Sequence, residues 1–159
     1  MKIRVLAVGK IKESFFRDAV SEYVKRIGRY AKIEITEFPD EQAPERLSAA
    51  QIRQIREKEG RRIPEKQNGS AYRIALCIDG KRMDSEVFSA CLEDIMNHGL
   101  STIEFIIGGS NGLSDAVTDS ADLKLSFSDM TFPHQLMRVI LLEQIYRAFK
   151  IMNHEPYHK

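Results

Sequence analysis

The feature that most constrains the fold of this chain is a regular alternation of strand-like and helix-like segments along its whole length. Five segments have the short apolar or alternating pattern of strands: 3–8, 32–38, 72–79, 102–107 and 122–128. Helical patterns lie between and after them: 13–30, 44–62, 84–99, 114–121 and 133–153. Residues 67–70 predict a turn. Strands that alternate with helices predict an α/β fold with a largely parallel sheet and helices on both faces.

The length and composition of the chain predict one soluble domain over residues 1–159. With 43% apolar and 30% charged residues, the chain is large enough to bury a real core. It lacks the ~20 consecutive apolar residues that a membrane-spanning helix needs, and its first residues, MKIRVLAVGKIKESF, lack the apolar region of a signal peptide. We therefore expect a cytoplasmic protein without a membrane partner. Cys77 and Cys91 lack CxxC spacing, which favours reduced core cysteines.

Charge is unevenly distributed although the net charge is only +1. Residues 1–32 hold nine Lys or Arg against three Asp or Glu, whereas residues 84–129 hold nine acids and one lysine. A second basic cluster spans residues 53–66. Such runs are typical either of solvated helix faces with i,i+4 ion pairs or of a surface that binds a phosphate backbone, and charge alone leaves both interpretations open.

The string EFIIGGSNGLSDA, residues 104–116, joins a predicted strand to three glycines. Glycine suits a turn with positive φ or a close approach of a ligand to the main chain. Ligands of parallel sheets bind beyond the carboxyl ends of the strands, which favours a ligand here and would explain Gly108 and Gly109. The string matches neither GxxxxGK[ST] nor GxGxxG. Asn111 in this loop either hydrogen-bonds substrate or makes the turn.

A second loop, residues 127–132, follows the last predicted strand, so that two strand-end loops could clasp one ligand. The helix after it is apolar nearly all round, which predicts burial on more than one side. One side is either a twofold interface or part of a central core, and both remain open. Arg138 interrupts this helix; it either pairs with a carboxylate or stabilises an oxyanion.

The strings IGGSNGL and LSFSDMTFPHQLMRVILLEQIYRAFKI and the terminal PYHK together closely resemble the ribosomal large-subunit pseudouridine methyltransferase H family. That family belongs to the SPOUT superfamily of knotted S-adenosylmethionine enzymes. The resemblance runs the full length of the chain, and the last fifty residues are its most specific part.

The resemblance implies a parallel-sheet SPOUT methyltransferase fold with a C-terminal trefoil knot, working as a homodimer. It implies an S-adenosylmethionine-dependent enzyme that methylates N3 of a pseudouridine in 23S rRNA. The substrate would be the assembled ribosome, at the face of the large subunit that meets the small one.

The resemblance also implies which residues form the site. The cofactor-binding positions would be Leu76, Gly108, Phe127, Ser128, Asp129, Met130, Thr131 and Phe132. His158 would accept a proton or orient the base, with Tyr157 beside it in the terminal PYHK, and Arg138 would stabilise the pseudouridine oxyanion. The four histidines show no metal-ligand pattern, since Pro156 separates His154 from His158, and we expect no metal.

Two other classes of protein share parts of this pattern. A non-enzymatic RNA-binding module would share the basic clusters but would not need two strand-end loops. A flavodoxin-like flavin or nucleotide binder would share the sheet, but its phosphate loop should follow the first strand, where this chain has VGKIKES.

Overall fold

The structure, a computed structural model, describes residues 1–65 and 71–159. Its strands are β1 (Lys2–Val8), β2 (Lys32–Phe38), β3 (Tyr72–Arg82), β4 (Thr102–Ile107) and β5 (Leu123–Ser126). Its helices are α1 (Ser14–Ile27), α2 (Ala49–Gly60), α3 (Ser85–Asn97), α4 (Asp115–Asp119) and α5 (His134–Met152). All ten predicted strands and helices are confirmed, whereas the turn predicted at residues 67–70 lies outside the described residues.

The five strands form one sheet in the order β2-β1-β4-β3-β5, and every neighbouring pair is parallel. The predicted parallel α/β fold is therefore confirmed. All carboxyl ends of the strands lie at one edge, where the loops after β4 and β5 also lie. The trefoil knot stays a prediction.

Capping residues explain where α2 and α3 begin. The Ser48 hydroxyl accepts a hydrogen bond from the Gln51 amide at 3.2 Å, and the Gln51 side chain accepts one from the Ser48 amide at 2.8 Å. This capping box starts α2 at Ala49, later than the predicted residue 44. Asp84 caps α3, since its carboxylate accepts a hydrogen bond from the Val87 amide at 2.7 Å.

The two faces of the sheet carry cores of different size. On one face, odd-numbered residues of β1 and β4, such as Val5 and Phe105, pack with α1, α3 and α5. On the other face, Leu6, Val8 and Ile106 form a small cluster with Ile63, Val117 and two half-buried residues among those the structure describes. We call these the thick face and the thin face. Helices α2 and α4 contact each other near the thin face.

Helix α5 packs on the thick face, with Leu141, Leu142 and Ile145 fully buried. Other apolar positions of this helix are only half-buried: Leu136, Met137, Val139, Ile140, Ile151 and Met152. The core role expected for one side of α5 is thus confirmed, and a second apolar side remains partly open. Within the two described ranges, no helix is long and apolar enough to cross a membrane.

Candidate functional site

A cleft of about 850 Å³ lies at the carboxyl edge of the sheet. The ends of β3, β4 and β5, the start of α5 and one residue of α2 form its walls. Seven of the eight predicted cofactor-binding residues line it: Leu76, Gly108, Phe127, Ser128, Met130, Thr131 and Phe132. The two strand-end loops do meet in one cleft, although the binding role of each residue stays a prediction.

Strand β3 is interrupted where it reaches the cleft. Leu125 of β5 is paired with both Leu76 and Lys81, so residues 77–80 leave the ladder. Cys77, Ile78 and Asp79 consequently line the cleft. The sequence predicts an uninterrupted buried strand here and misses these three residues.

The two cysteines are free, as predicted, but neither lies fully in the core. Both are half-buried, Cys77 at the cleft and Cys91 against the thick-face core. Burial raises the pKa of the Cys77 thiol to about 11, and nearby Asp79 adds to this. Cys77 is therefore a neutral thiol at neutral pH and forms a wall of the cleft.

The glycine loop, residues 108–112, folds back on itself. The Gly112 amide donates a hydrogen bond to the Gly109 carbonyl at 3.0 Å, and Gly112 has φ +83°. A Cβ on Gly108 would lie 2.6 Å from the carbonyl carbon of Gly112. The loop's own main chain therefore occupies the space that a side chain on Gly108 would need, which is by itself sufficient reason for glycine here. The expected close approach of a ligand stays a prediction.

Arg56 reaches this loop from α2 and lines the cleft. Its Nε donates a short hydrogen bond to the Asn111 carbonyl. The sequence places Arg56 in a basic cluster but gives no reason to single it out, since the partner lies 55 residues away. Next to it on the helix, Glu59 is buried and lies against Gly109, and burial raises the pKa of the Glu59 carboxyl.

The loop after β5 is held by its own serines. The Ser126 hydroxyl donates to the Ser128 carbonyl at 3.2 Å, and the Ser128 hydroxyl accepts from the Met130 amide at 3.0 Å. Asp129 is the one predicted cofactor residue that does not line the cleft. Its carboxylate pairs with Arg82, and both side chains are about two-thirds exposed.

Arg138 lies beneath the cleft rather than in its wall. Its fully buried guanidinium donates to Glu37 Oε1 at 2.5 Å and to the Gly9 carbonyl at 2.9 Å. Burial lowers the pKa of Arg138, and Glu37 opposes that shift. The expected pairing with a carboxylate is confirmed, and the contacts tie the ends of β1 and β2 to α5.

His134, which the sequence does not single out, begins α5 and lines the cleft. Its ring packs on Gly9, and its Nδ1 is buried without a hydrogen-bond partner among residues 1–65 and 71–159. Burial and the nearby Arg138 cation lower the pKa of His134, so that the neutral ring dominates at neutral pH.

The loop after β1 is filled by the protein's own groups. The Gly9 carbonyl accepts from Arg138, the Ile11 amide donates to Glu37, and the Lys12 amide donates to Gln135. A flavodoxin-like protein would need the main-chain amides of this loop to bind phosphate, and those of Ile11 and Lys12 already have partners within the chain. Their engagement argues against that alternative.

The terminal segment folds back on the middle of α5. The Tyr157 ring packs edge-on against Tyr146 with centroids 4.9 Å apart, and its hydroxyl donates to Glu143 at 3.2 Å. Burial raises the pKa of Tyr157 to about 12. His158 lies 3.3 Å from Arg147 and 3.7 Å from Glu86. Neither Tyr157 nor His158 lines the cleft of its own chain.

The part of the chain that the structure describes contains no group of three or more His, Cys, Asp or Glu side chains that could hold a metal ion.

Comparisons with known proteins cover the full chain. The family model described as a predicted SPOUT methyltransferase matches residues 1–158. The ribosomal RNA large subunit methyltransferase H of Bifidobacterium adolescentis is 56% identical over 159 residues, 100% of both chains. The protein of the same name from Enterococcus faecalis is 51% identical over the same length and coverage.

One solved structure supports the fold. A putative methyltransferase from Legionella pneumophila, in complex with the bound cofactor SAM, superposes with a TM-score of 0.50 at 13% sequence identity. The match covers 93% of this chain and 66% of that one.

Proposed function

Since the chain belongs to the SPOUT methyltransferase family, and within it to the ribosomal RNA large subunit methyltransferase H family, we propose that it methylates large-subunit ribosomal RNA with S-adenosylmethionine as methyl donor. The target is N3 of a pseudouridine in 23S rRNA, reached on the assembled ribosome in the cytoplasm. Residues 1–159 act as a single domain. The observation that carries this proposal is the convergence of the two strand-end loops on one cleft in a chain 56% identical to a methyltransferase of that name.

The chemistry of the cleft fits S-adenosylmethionine. Leu76, Phe127 and Phe132 offer apolar walls to an adenosine, and the carboxylates of Asp79 and Asp115 complement the positive charges of the donor. When bound, the cofactor supplies a methyl group activated by a sulfonium centre. The residues that would hold it are the predicted ones that line the cleft, with Asp79 added; Asp129, which pairs with Arg82 outside the cleft, would not contact it.

The protein's tasks are to align the acceptor base and to manage the proton at N3. The walls of the cleft shield the reacting groups from water and hold the methyl donor in place. His158 accepts the N3 proton or orients the base, and Tyr157 holds the terminal segment against α5. Because Arg138 is fully buried and bonded to Glu37 and Gly9, its contacts support a positioning role under the cleft rather than contact with substrate.

A homodimer completes this site in the proposal. Within one chain the terminal segment packs away from the cleft, and α5 keeps half-buried apolar positions beside it. A second copy that covers those positions would bring its Tyr157 and His158 to the cofactor cleft. Light scattering at micromolar concentration should therefore give twice the mass of the chain, and a clean monomer would contradict the shared site.

The decisive experiment measures methyl transfer from radiolabelled S-adenosylmethionine to assembled ribosomes, free large subunits and protein-free ribosomal RNA. We expect incorporation into assembled ribosomes alone, with N3-methylpseudouridine identified by mass spectrometry of the nucleosides. Efficient methylation of protein-free RNA, or a methyl group on another base, would contradict the proposed substrate.

A variant lacking residues 157–159 distinguishes a role in binding S-adenosylmethionine from a role in methyl transfer. It should stay folded, with a lower melting temperature because the packing of Tyr157 on Tyr146 is lost, and should keep its calorimetric affinity for S-adenosylmethionine but lose methyl transfer. Full activity after this deletion would remove the terminal segment from the mechanism.

A further inference from the structure

Arg56 is the one lysine or arginine among the described residues that line the cleft. The acidic residues Asp79 and Asp115 line the same space. No resemblance or sequence pattern assigned Arg56 a role beyond membership of a basic cluster.

The structure holds Arg56 in a defined orientation. The capping box at Ser48 fixes the start of α2, and Arg56 follows two turns later, half-buried. Its Nε is bonded to the Asn111 carbonyl of the glycine loop, and its Nη2 would lie 3.6 Å from a Cβ on Gly112, so the guanidinium runs alongside that loop.

The two terminal nitrogens of Arg56 have no ion-pair or hydrogen-bond partner in residues 1–65 and 71–159. Other half-buried or buried arginines of the chain are paired: Arg73 with Glu104, Arg138 with Glu37 and Arg147 with Glu143. A guanidinium that is fixed at Nε and open at both Nη atoms presents a planar fork suited to a carboxylate or a phosphate.

We propose that Arg56 is an oxyanion-binding residue of the cleft, which engages either the carboxylate of the methyl donor's amino-acid part or a phosphate of the RNA substrate. This inference rests on the proposed function and adds to it a specific binding residue on α2. Its Nε bond to Asn111 sets the orientation of the fork, and the ligand oxyanion replaces water at the two Nη atoms.

The test compares two nucleosides that differ in the relevant group. S-adenosylhomocysteine carries the amino-acid carboxylate, whereas 5′-methylthioadenosine has the same adenosine thioether without the amino-acid part. Both are titrated by calorimetry into the wild type, Arg56→Gln and Arg56→Lys. Arg53→Gln, an exposed change one turn earlier on α2, is the control in these titrations.

If the carboxylate is the partner, Arg56→Gln should lose about 10- to 100-fold in affinity for S-adenosylhomocysteine and less than about 2-fold for 5′-methylthioadenosine. Arg56→Lys, which keeps the charge, should recover part of the loss. If an RNA phosphate is the partner, both nucleosides bind normally. The KM for ribosomes then rises about 10-fold in Arg56→Gln, and the salt dependence of binding falls by about one phosphate contact.

The glutamine variant also tests a purely structural role, because its amide can still donate to the Asn111 carbonyl. A variant with wild-type nucleoside affinities, KM and salt dependence would overturn the proposal for Arg56 and leave the proposed function intact. A wild type that binds neither nucleoside would overturn the proposed function, and the inference for Arg56 with it. Melting temperatures of all variants exclude unfolding as the cause of a loss.

Discussion

The thick and the thin face of the sheet are stabilised by different interactions. Among residues 1–65 and 71–159, the thick face buries nineteen hydrophobic residues between the sheet and α1, α3 and α5, whereas the thin face buries five. The thin face instead carries a buried charge network: Glu104 accepts from Arg73 at 2.9 Å and from Arg4 at 2.6 Å.

Helix α2, which lies near the thin face, contributes more to the cleft than to either hydrophobic core. Helix α2 is strongly polar and contributes Glu59 as its one buried residue, so it adds little to the core. The same polarity lets it bring Arg56 to the cleft. The thick face is therefore expected to stabilise the fold by apolar burial and the thin face by its buried ion pairs. The polar side chains of α2 are expected to affect ligand binding and the local fit of the glycine loop more than stability.

The largest expected effect breaks the charge network of the thin face. Glu104→Leu leaves Arg73, which is 3% exposed, as an unpaired buried cation, and we expect a loss of about 3–5 kcal/mol in the free energy of unfolding. The double variant Glu104→Leu/Arg73→Met should recover most of it, because two apolar groups replace the pair. Urea unfolding measures both. A single variant as stable as the wild type would show that charge contributes nothing to the thin face.

Matched truncations of the two cores should give the next largest effects. Ile145→Ala on the thick face removes a fully buried side chain and should cost about 2–5 kcal/mol, towards the upper end. Ile63→Ala on the thin face should fall near the lower end, because a small core close to the surface can relax around the lost atoms. Equal losses in urea unfolding would mean that the two faces do not differ in packing.

The outcome of sequence reasoning also differs between regions. The predicted ends of strands β1, β2 and β4 agree with the structure to within one residue. The alternation of apolar residues and the β-branched residues that mark a strand are properties of the segment itself, so the sequence shows them directly. The start of α2 is missed because a capping box overrides the helical pattern. The family resemblance predicts Leu76 and the loop 127–132, and the structure brings Leu76 and all residues of that loop except Asp129 to one cleft.

Other features of the site depend on contacts between residues far apart in the sequence. The break in β3 exists because Leu125 pairs twice, and Arg56 and His134 gain their places from Asn111 and Gly9. Such contacts leave no periodic signal. Gly108 shows the same limit: the sequence marks the glycine, but its crowding by the returning main chain at Gly112 is visible only in the structure.

A smaller effect is expected at Gly108. An alanine there forces the main chain at Gly112 to move, and we expect a loss of about 1–3 kcal/mol in stability together with weaker cofactor binding. Gly99→Ala is a contrasting variant, because Gly99 has φ +81° and open space around it, whereas Gly108 is crowded and does not have a positive φ. If Gly108→Ala proves no less stable than the wild type and loses only cofactor affinity, the ligand and not the loop requires this glycine.

The smallest effect concerns the pH dependence at His134. Burial and the Arg138 and Lys12 cations lower the pKa of its imidazole, and the opposing Asp40 and Glu37 carboxylates do not offset them. The unfolded chain, with an ordinary histidine pKa of about 6.5, then binds a proton more readily than the folded one, so stability falls as pH drops below that value. His134→Gln should flatten the decline between neutral and mildly acidic pH. Urea unfolding at several pH values measures the slopes, and an NMR titration of the wild type that placed the His134 pKa above 6.5 would reverse the sign of the argument.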